Sequence, residues 1–311
     1  IAQPPRRPAP LPLRPTRHLS WPAIDRNLSF HREPDPSRRA CTGPCGHRSP
    51  TALRKGDLAL GNPRQRRRVA PVLDRPHPIG GRVEGPLLDE RHLGFTGYVS
   101  APTRHGLTLG ELARFFNGER SIDAELEVVP VRGWTRNRWF DETGLRWVNP
   151  SPNMRNLHQA LLYPGVGGIE GTNLSVGRGT DTPFEQIGAP WIDGPVLAEA
   201  LNAVGVPGVR VYPLSFTPTA SRYAGERCGG VFFVVTDRER FEPVRFGLEI
   251  AVALWRLHGD IFQLDASERL LGSAEVLAAI ERGTPTWEIA ASWAEGEAQW
   301  RRLIAPYLLY D

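Results

Sequence analysis

Lysine is nearly missing from this 311-residue chain: Lys55 is its single instance among 38 basic residues. Arginine in its place, with abundant Ala, Gly and Pro, points to a GC-rich genome and says nothing of function. Cysteine is scarce too. Cys41, Cys45 and Cys228 are too few for a disulfide framework. Cys41-x3-Cys45-x-His47 has a faint zinc-like spacing but lacks a fourth ligand at usual distance, so no metal is expected. No apolar run is long enough to cross a bilayer, so no membrane span is expected. The start, Ile1-Ala-Gln-Pro-Pro-Arg-Arg-Pro8, has neither an initiator Met nor an apolar signal core, and it reads as a fragment or a mis-started frame. Also missing are a Gly-x-Ser-x-Gly elbow, a phosphate loop and a His-Glu-x-x-His helix. Serine-hydrolase, nucleotide-hydrolase and zinc-protease chemistry, and a bound cofactor, therefore have no support.

What is present divides unevenly. The net charge of +4 conceals a basic segment, because residues 1–70 hold fourteen Arg and one Lys against four acids. The remainder is mildly acidic, so nucleic acid is not an implied partner. A basic nucleic-acid protein would rest on residues 1–70 alone. Residues 1–69 show frequent prolines, the run Arg66-Arg67-Arg68 and no persistent period. They read as a disordered or out-of-frame segment, the second being preferred. Order is expected from Val69-Ala-Pro-Val-Leu-Asp74, a short strand. Thr108-x-x-Glu111 is a capping box opening a helix to about Phe116. Further expectations are strands over 126–131, 209–216 and 230–236, and helices from Pro195 to about Val204 and over 242–258. A last helix is expected from Thr284-Pro285 towards Leu303, with Trp287, Trp293 and Trp300 as packing residues. Alternating strands and helices give an α/β or α+β class. The proline-fixed loop Trp147–Asn153 marks a boundary, giving domains over 70–155 and 156–311.

Tyr163-Pro-Gly-Val-Gly-Gly-Ile-Glu-Gly-Thr-Asn-Leu-Ser-Val-Gly-Arg-Gly-Thr180 concentrates glycine and small polar residues around one carboxylate and one guanidinium. Such density implies tight turns and backbone open to a ligand, as in loops that carry function. Glu170, between glycines, is the leading catalytic candidate, with Asn173, Ser175, Arg178 and Thr180 as polar neighbours. Glu185 follows Phe184. Either an apolar surround raises it towards a general acid, or it pairs with an arginine and holds the loop. Arg104 and His105 precede a helix N-terminus, a place suited to an anion or a polar sugar substituent; His105 equally serves by ordering its loop. Asp74, at a strand end, and Glu84-Gly85-Pro86 form a third group. Paired carboxylates in a polar, glycine-lined cleft suit glycoside hydrolysis.

Leu73-Asp-Arg-Pro-His-Pro-Ile-Gly-Gly81, Val83-Glu-Gly-Pro86, Arg104-His-Gly-Leu-Thr-Leu-Gly-Glu-Leu-Ala113, Trp147–Asn153, Glu170–Thr180, Pro183-Phe-Glu185, Gly188-Ala-Pro-Trp191 and Tyr307-Leu-Leu-Tyr310 follow one another in the chain. Together they resemble the NamZ-type peptidoglycan exo-β-N-acetylmuramidases, from about residue 70 to the end. The resemblance implies a truncated Rossmann-like N-terminal domain and a smaller C-terminal α/β domain with the site between them. It implies release of non-reducing-end N-acetylmuramic acid from peptidoglycan-derived saccharides, and extracytoplasmic action. Glu170 would be general acid or nucleophile, with Glu185 as the second catalytic carboxylate. Arg104 or Arg178 would pair with the lactyl carboxylate of muramic acid, and Asp74, His105, Asn153 and Asn173 would line the substrate. Family members also carry a Pro-Glu-His-Gly turn and an Asp-x-Gln-Asp-x-Gly segment, neither of which is in residues 1–70. That implies a missing or frameshifted N-terminal part and leaves the activity of this chain by itself open. The competing reading, from another class, is a non-catalytic binder of cell-wall sugar.

Overall fold

The computed structural model describes residues 70–94 and 97–311. The expectations placed on residues 1–69, including Cys41, Cys45 and His47, lie outside the described residues. Helices and small sheets alternate, which is the α/β class expected.

The first part opens on β1 (Ala70–Leu73), followed by β2 (Glu84–Leu87), β3 (Pro102–Arg104), α1 (Leu109–Glu119) and β4 (Leu126–Val129). β1 and β4 pair in parallel, with Val72 opposite Val128, while β2 and β3 pair antiparallel. α1 begins where the capping box predicts. Thr108 Oγ accepts from the Glu111 N–H at 3.2 Å, and the Glu111 carboxylate accepts from the Thr108 N–H at 2.9 Å. The buried face of α1, with Ala113, Phe115 and Phe116, packs with Val72, Leu107 and Ile122 into one core.

The second part contains α2 (Leu157–Val166), β5 (Gln186–Ala189), α3 (Gly194–Val204), β6 (Val209–Phe216), β7 (Cys228–Val235) and α4 (Pro243–His258). β5, β7 and β6 form an antiparallel sheet with β7 in the middle. α3 starts under an Asp193 cap with Pro195 in its first turn. The stripe Phe246, Ile250 and Leu254 of α4 joins Leu197, Leu201, Val231 and Phe233 in the larger core. α2 was not anticipated, since Pro164 and Gly165 lie inside it. Gly165 is there because α2 and α4 nearly touch: a Cβ on it would lie 2.0 Å from the Pro243 carbonyl oxygen, and one on Gly247 would lie 2.5 Å from the Gly165 Cα.

α5 (Glu268–Leu271), α6 (Ala274–Glu281), α7 (Thr286–Ala291) and α8 (Ala294–Ile304) complete the chain. The single helix expected beyond Pro285 is thus two, divided at Ser292 and Trp293. Trp293 and Trp300 are buried as expected, whereas Trp287 is 64% exposed and packs on nothing as a core residue would. α8 returns to the first part, where Trp300 and Ile304 complete the core around Phe115 and Phe116. No helix among the described residues is long and apolar enough to cross a membrane.

Candidate functional site

The glycine-rich stretch is built from α2 outward. The Asn156 side chain caps α2 by accepting from the Gln159 N–H at 2.8 Å. A 3-10 turn over Gly167–Ile169 then delivers Glu170. Gly177 and Gly179 both adopt the left-handed region, with φ 77° and 82°, where a side chain would be strained. They fold the loop back so that Arg178, between them, meets Glu170. The contact is a two-pronged ion pair, Nε to Oε1 and Nη2 to Oε2 at 3.2 Å. Both side chains stay partly open, 30% exposed for Arg178 and 27% for Glu170.

An aromatic base holds the pair. The Arg178 guanidinium lies 5.0 Å from the centre of the Phe184 ring, and Phe184 meets Tyr163 edge-on at 4.5 Å. Phe184 is itself left-handed, with φ 67°, a strained state for a bulky residue and one that clusters at functional sites. Burial, then the charge of Glu170, push the Tyr163 phenol up to about 12. Burial works against the Arg178 cation, but the hydrogen bond and charge of Glu170 outweigh it and raise its pKa. Tyr163 and Phe184 were not singled out from sequence. Their signal was only an aromatic beside each motif.

Glu185 stands next to Phe184, and its Oε1 accepts from the Gln159 amide at 2.8 Å and the Asn156 amide at 3.2 Å. Its partners are two neutral amides, neither an arginine nor a purely apolar surround. Asn173 is committed elsewhere: its amide donates to the Ile261 carbonyl and accepts from the Gln263 N–H, both at 2.9 Å. It ties the glycine-rich loop to the segment after α4. Asn153, in the turn before α2, makes no side-chain hydrogen bond among the described residues.

The second group centres on the end of β3. Arg104, with 2% of its side chain exposed, donates to the Ile79 carbonyl. Its Nη1 lies 3.8 Å from Glu84, and its guanidinium 6.0 Å from the Trp139 ring centre. Its Nε has no partner. Burial pulls this arginine down to about 10, against the opposing charge of Glu84. Glu84 Oε1 accepts from the Val244 and Arg245 N–H groups at the start of α4, at 2.8 and 3.0 Å. Burial pushes its carboxyl up to about 7, with Arg104 opposing. His105 accepts from the Leu107 N–H through Nδ1, and burial, then Arg136, bring it down to about 4. Asp74 is buried and takes four donors: the Arg75 and Gly110 N–H groups and the Thr108 and Tyr310 hydroxyls.

The sequence candidates therefore fall into two sets. Glu170 and Arg178 gather on the Tyr163–Phe184 base, while Glu185, next to Phe184 in the chain, turns to Asn156 and Gln159 at the start of α2; Asp74, Arg104 and His105 lie at the ends of β1 and β3. No hydrogen bond or ion pair joins the sets among the described residues. A crevice of about 20 Å³ is lined both by Thr103, beside Arg104, and by Gly168, two residues before Glu170. Chemically, the first set offers a partly open carboxylate and guanidinium on a rigid floor, suited to polar, planar hydrogen bonding with a hydroxylated ligand.

The chain is also similar to known proteins. The family description "Exo-beta-N-acetylmuramidase NamZ, N-terminal" matches residues 58–158, and its C-terminal counterpart matches residues 161–310. The peptidoglycan beta-N-acetylmuramidase NamZ of Bacillus subtilis (strain 168) is 43% identical over 243 residues, 77% of this chain and 59% of that protein. The chain thus spans 59% of the length of this curated relative. Crystal structures of two DUF1343 family proteins from Bacteroides fragilis NCTC 9343 are also similar. One has a TM-score of 0.71 at 29% identity, covering 78% of this chain and 66% of its own. The other has a TM-score of 0.61 at 28% identity, covering 77% and 66%.

Proposed function

Because the chain belongs to the NamZ family of exo-β-N-acetylmuramidases, we propose that it is a glycoside hydrolase releasing non-reducing-end N-acetylmuramic acid from peptidoglycan fragments. The observation that carries this reading is the Glu170–Arg178 pair, held partly open on the Tyr163–Phe184 base. A sugar entering there meets one carboxylate able to act as acid or nucleophile and one guanidinium able to take the lactyl carboxylate. Arg104 is the alternative anchor for that carboxylate. Asn153 has an uncommitted amide for a hydroxyl or acetamido group. Asp74 and Asn173 have their polar atoms bound within the protein and serve the site by position, whereas His105 commits only Nδ1 and leaves Nε2 without a hydrogen-bond partner among the described residues.

We further infer that β1, α1 and β4, parallel strands joined through a helix, are part of a Rossmann-like layer. Action on peptidoglycan places the protein outside the cytoplasm in this reading.

One observation favours the second reading, a sugar binder without turnover. Both carboxylates are already engaged, Glu170 by Arg178 and Glu185 by two amides. Hydrolysis of para-nitrophenyl β-N-acetylmuramide separates the two. The enzyme reading expects turnover by the wild-type chain, and loss of about 100-fold or more on Glu170→Gln with the fold intact by circular dichroism. Turnover equal to wild type in that variant would make Glu170 structural. Binding of the muramide without any release of nitrophenol would leave the binder.

A further inference from the structure

A second depression lies beside the crevice of about 20 Å³, sharing Pro86, Val276 and Trp293 with it, and none of Asp74, Arg104, His105, Glu170, Arg178 or Glu185 lines it. Ser273 and Glu275 at the start of α6, Arg282 after its end, Glu288 and Ser292 around α7, and Trp293 at the head of α8 face a cleft of about 480 Å³. β2 contributes Pro86 and Leu87 to its wall, and no residue between 163 and 185 lines it. The volume is that of a small-molecule site, which spans ~300–1,000 Å³.

Its charged groups are unspent. Arg178, Arg238 and Arg82 each close on a carboxylate within the protein. By contrast, the exposed side chains of Glu275, Arg282 and Glu288 make no hydrogen bond or ion pair with any described residue. One guanidinium fork and two carboxylates thus line a common space without neutralising one another. Trp293, 6% exposed and fixed in the larger core, gives that space a rigid apolar wall. Planar acceptors and a planar donor fork around one space are what adjacent sugar hydroxyls require.

We propose that this cleft is a second saccharide site, taking one or two pyranose units of a glycan through Glu275, Arg282 and Glu288. The choice of an amino-sugar glycan rests on the proposed hydrolase reading; the cleft itself does not. Calorimetric titration of the full chain with β-1,4-linked di-N-acetylglucosamine tests it, because binding is read without turnover. Arg282→Ala, and Glu275→Gln combined with Glu288→Gln, alter exposed positions and should each weaken binding by about fivefold or more. Glu170→Gln should leave binding unchanged, and Arg282→Ala should leave muramide hydrolysis unchanged. Equal binding by wild type and Arg282→Ala overturns the proposal. So does loss of binding in Glu170→Gln alone, which would put the sugar at the first site. Displacement of the disaccharide by the zwitterionic dipeptide Ala-Glu at lower concentration would assign the cleft to peptides and equally overturn it. Arg282-dependent binding without muramide hydrolysis would sink the hydrolase reading and leave this site standing.

Discussion

Glu84 shows how much one residue's surroundings can decide. Its side chain is 14% exposed and its Oε1 caps the first turn of α4, from a strand 160 residues earlier. Burial raises its carboxyl from 4.5 to about 7 in spite of Arg104 and the two N–H donors. An acid whose pKa is raised on folding contributes stability below its unfolded value, and loses it as pH rises through the folded one. From pH 4.5 to about 7, Glu84 should therefore cost the native state about 3 kcal/mol. His77 and His105 act oppositely. Both are lowered, chiefly by burial, so they lose stability as pH falls below 6.5. The readout is then a difference: the stability of Glu84→Gln relative to wild type should rise by that amount between pH 4.5 and 7.5, in urea titrations. A difference that does not change with pH would mean that the Glu84 carboxyl has the same pKa folded and unfolded. None of this was legible in Glu84-Gly85-Pro86, because the partners come from α4 and β3. The Glu170–Arg178 pair was equally out of reach of spacing rules. Eight residues apart in a loop, they meet only because two left-handed glycines bend the chain.

Elements were legible where their ends carry their own chemistry. α1 announced itself through Thr108 and Glu111, and α3 through Pro195, since caps and first-turn prolines are local signals. α2 was hidden because Pro164 and Gly165 argue against a helix interior, and only the crossing with α4 explains the glycine. The break at Ser292 was hidden for the opposite reason: nothing in that stretch disfavours continuing, and tertiary packing of Trp293 divides it. The α1 cap also reaches beyond its helix. Thr108 Oγ accepts from Glu111 and donates to Asp74 at 2.7 Å, so the cap joins the helix to the end of β1. Thr108→Ala removes the cap, worth ~1 kcal/mol, and one donor to a buried carboxylate, worth a similar amount. A loss of about 2 kcal/mol in thermal or urea unfolding is expected, with Thr108→Ser close to wild type. Equal losses for both would mean that the methyl group, not the hydroxyl, holds the junction.

Across the whole molecule, the boundary read at the proline loop is bridged repeatedly. Arg82 pairs with Glu239, Arg238 with Asp141 and Glu142, and the Gly85 N–H donates to Glu297. The end of the chain goes further. The Trp300 indole donates to the His105 carbonyl at 2.9 Å and its ring packs on Phe115, while the Tyr310 hydroxyl donates to Asp74 at 2.6 Å. The core around α1 is therefore completed by residues some two hundred positions later, so neither part buries its apolar face alone. Residues 70–311 should accordingly unfold in one transition, with circular dichroism in the far and near ultraviolet falling together. Trp300→Ala, which empties a fully buried site, should lower that single transition by ~3–5 kcal/mol without splitting it. Two transitions, of which only one responds to the substitution, would mean that the antiparallel sheet and its helices are stable by themselves. The seam would then be a surface between independent domains, free to open around a ligand.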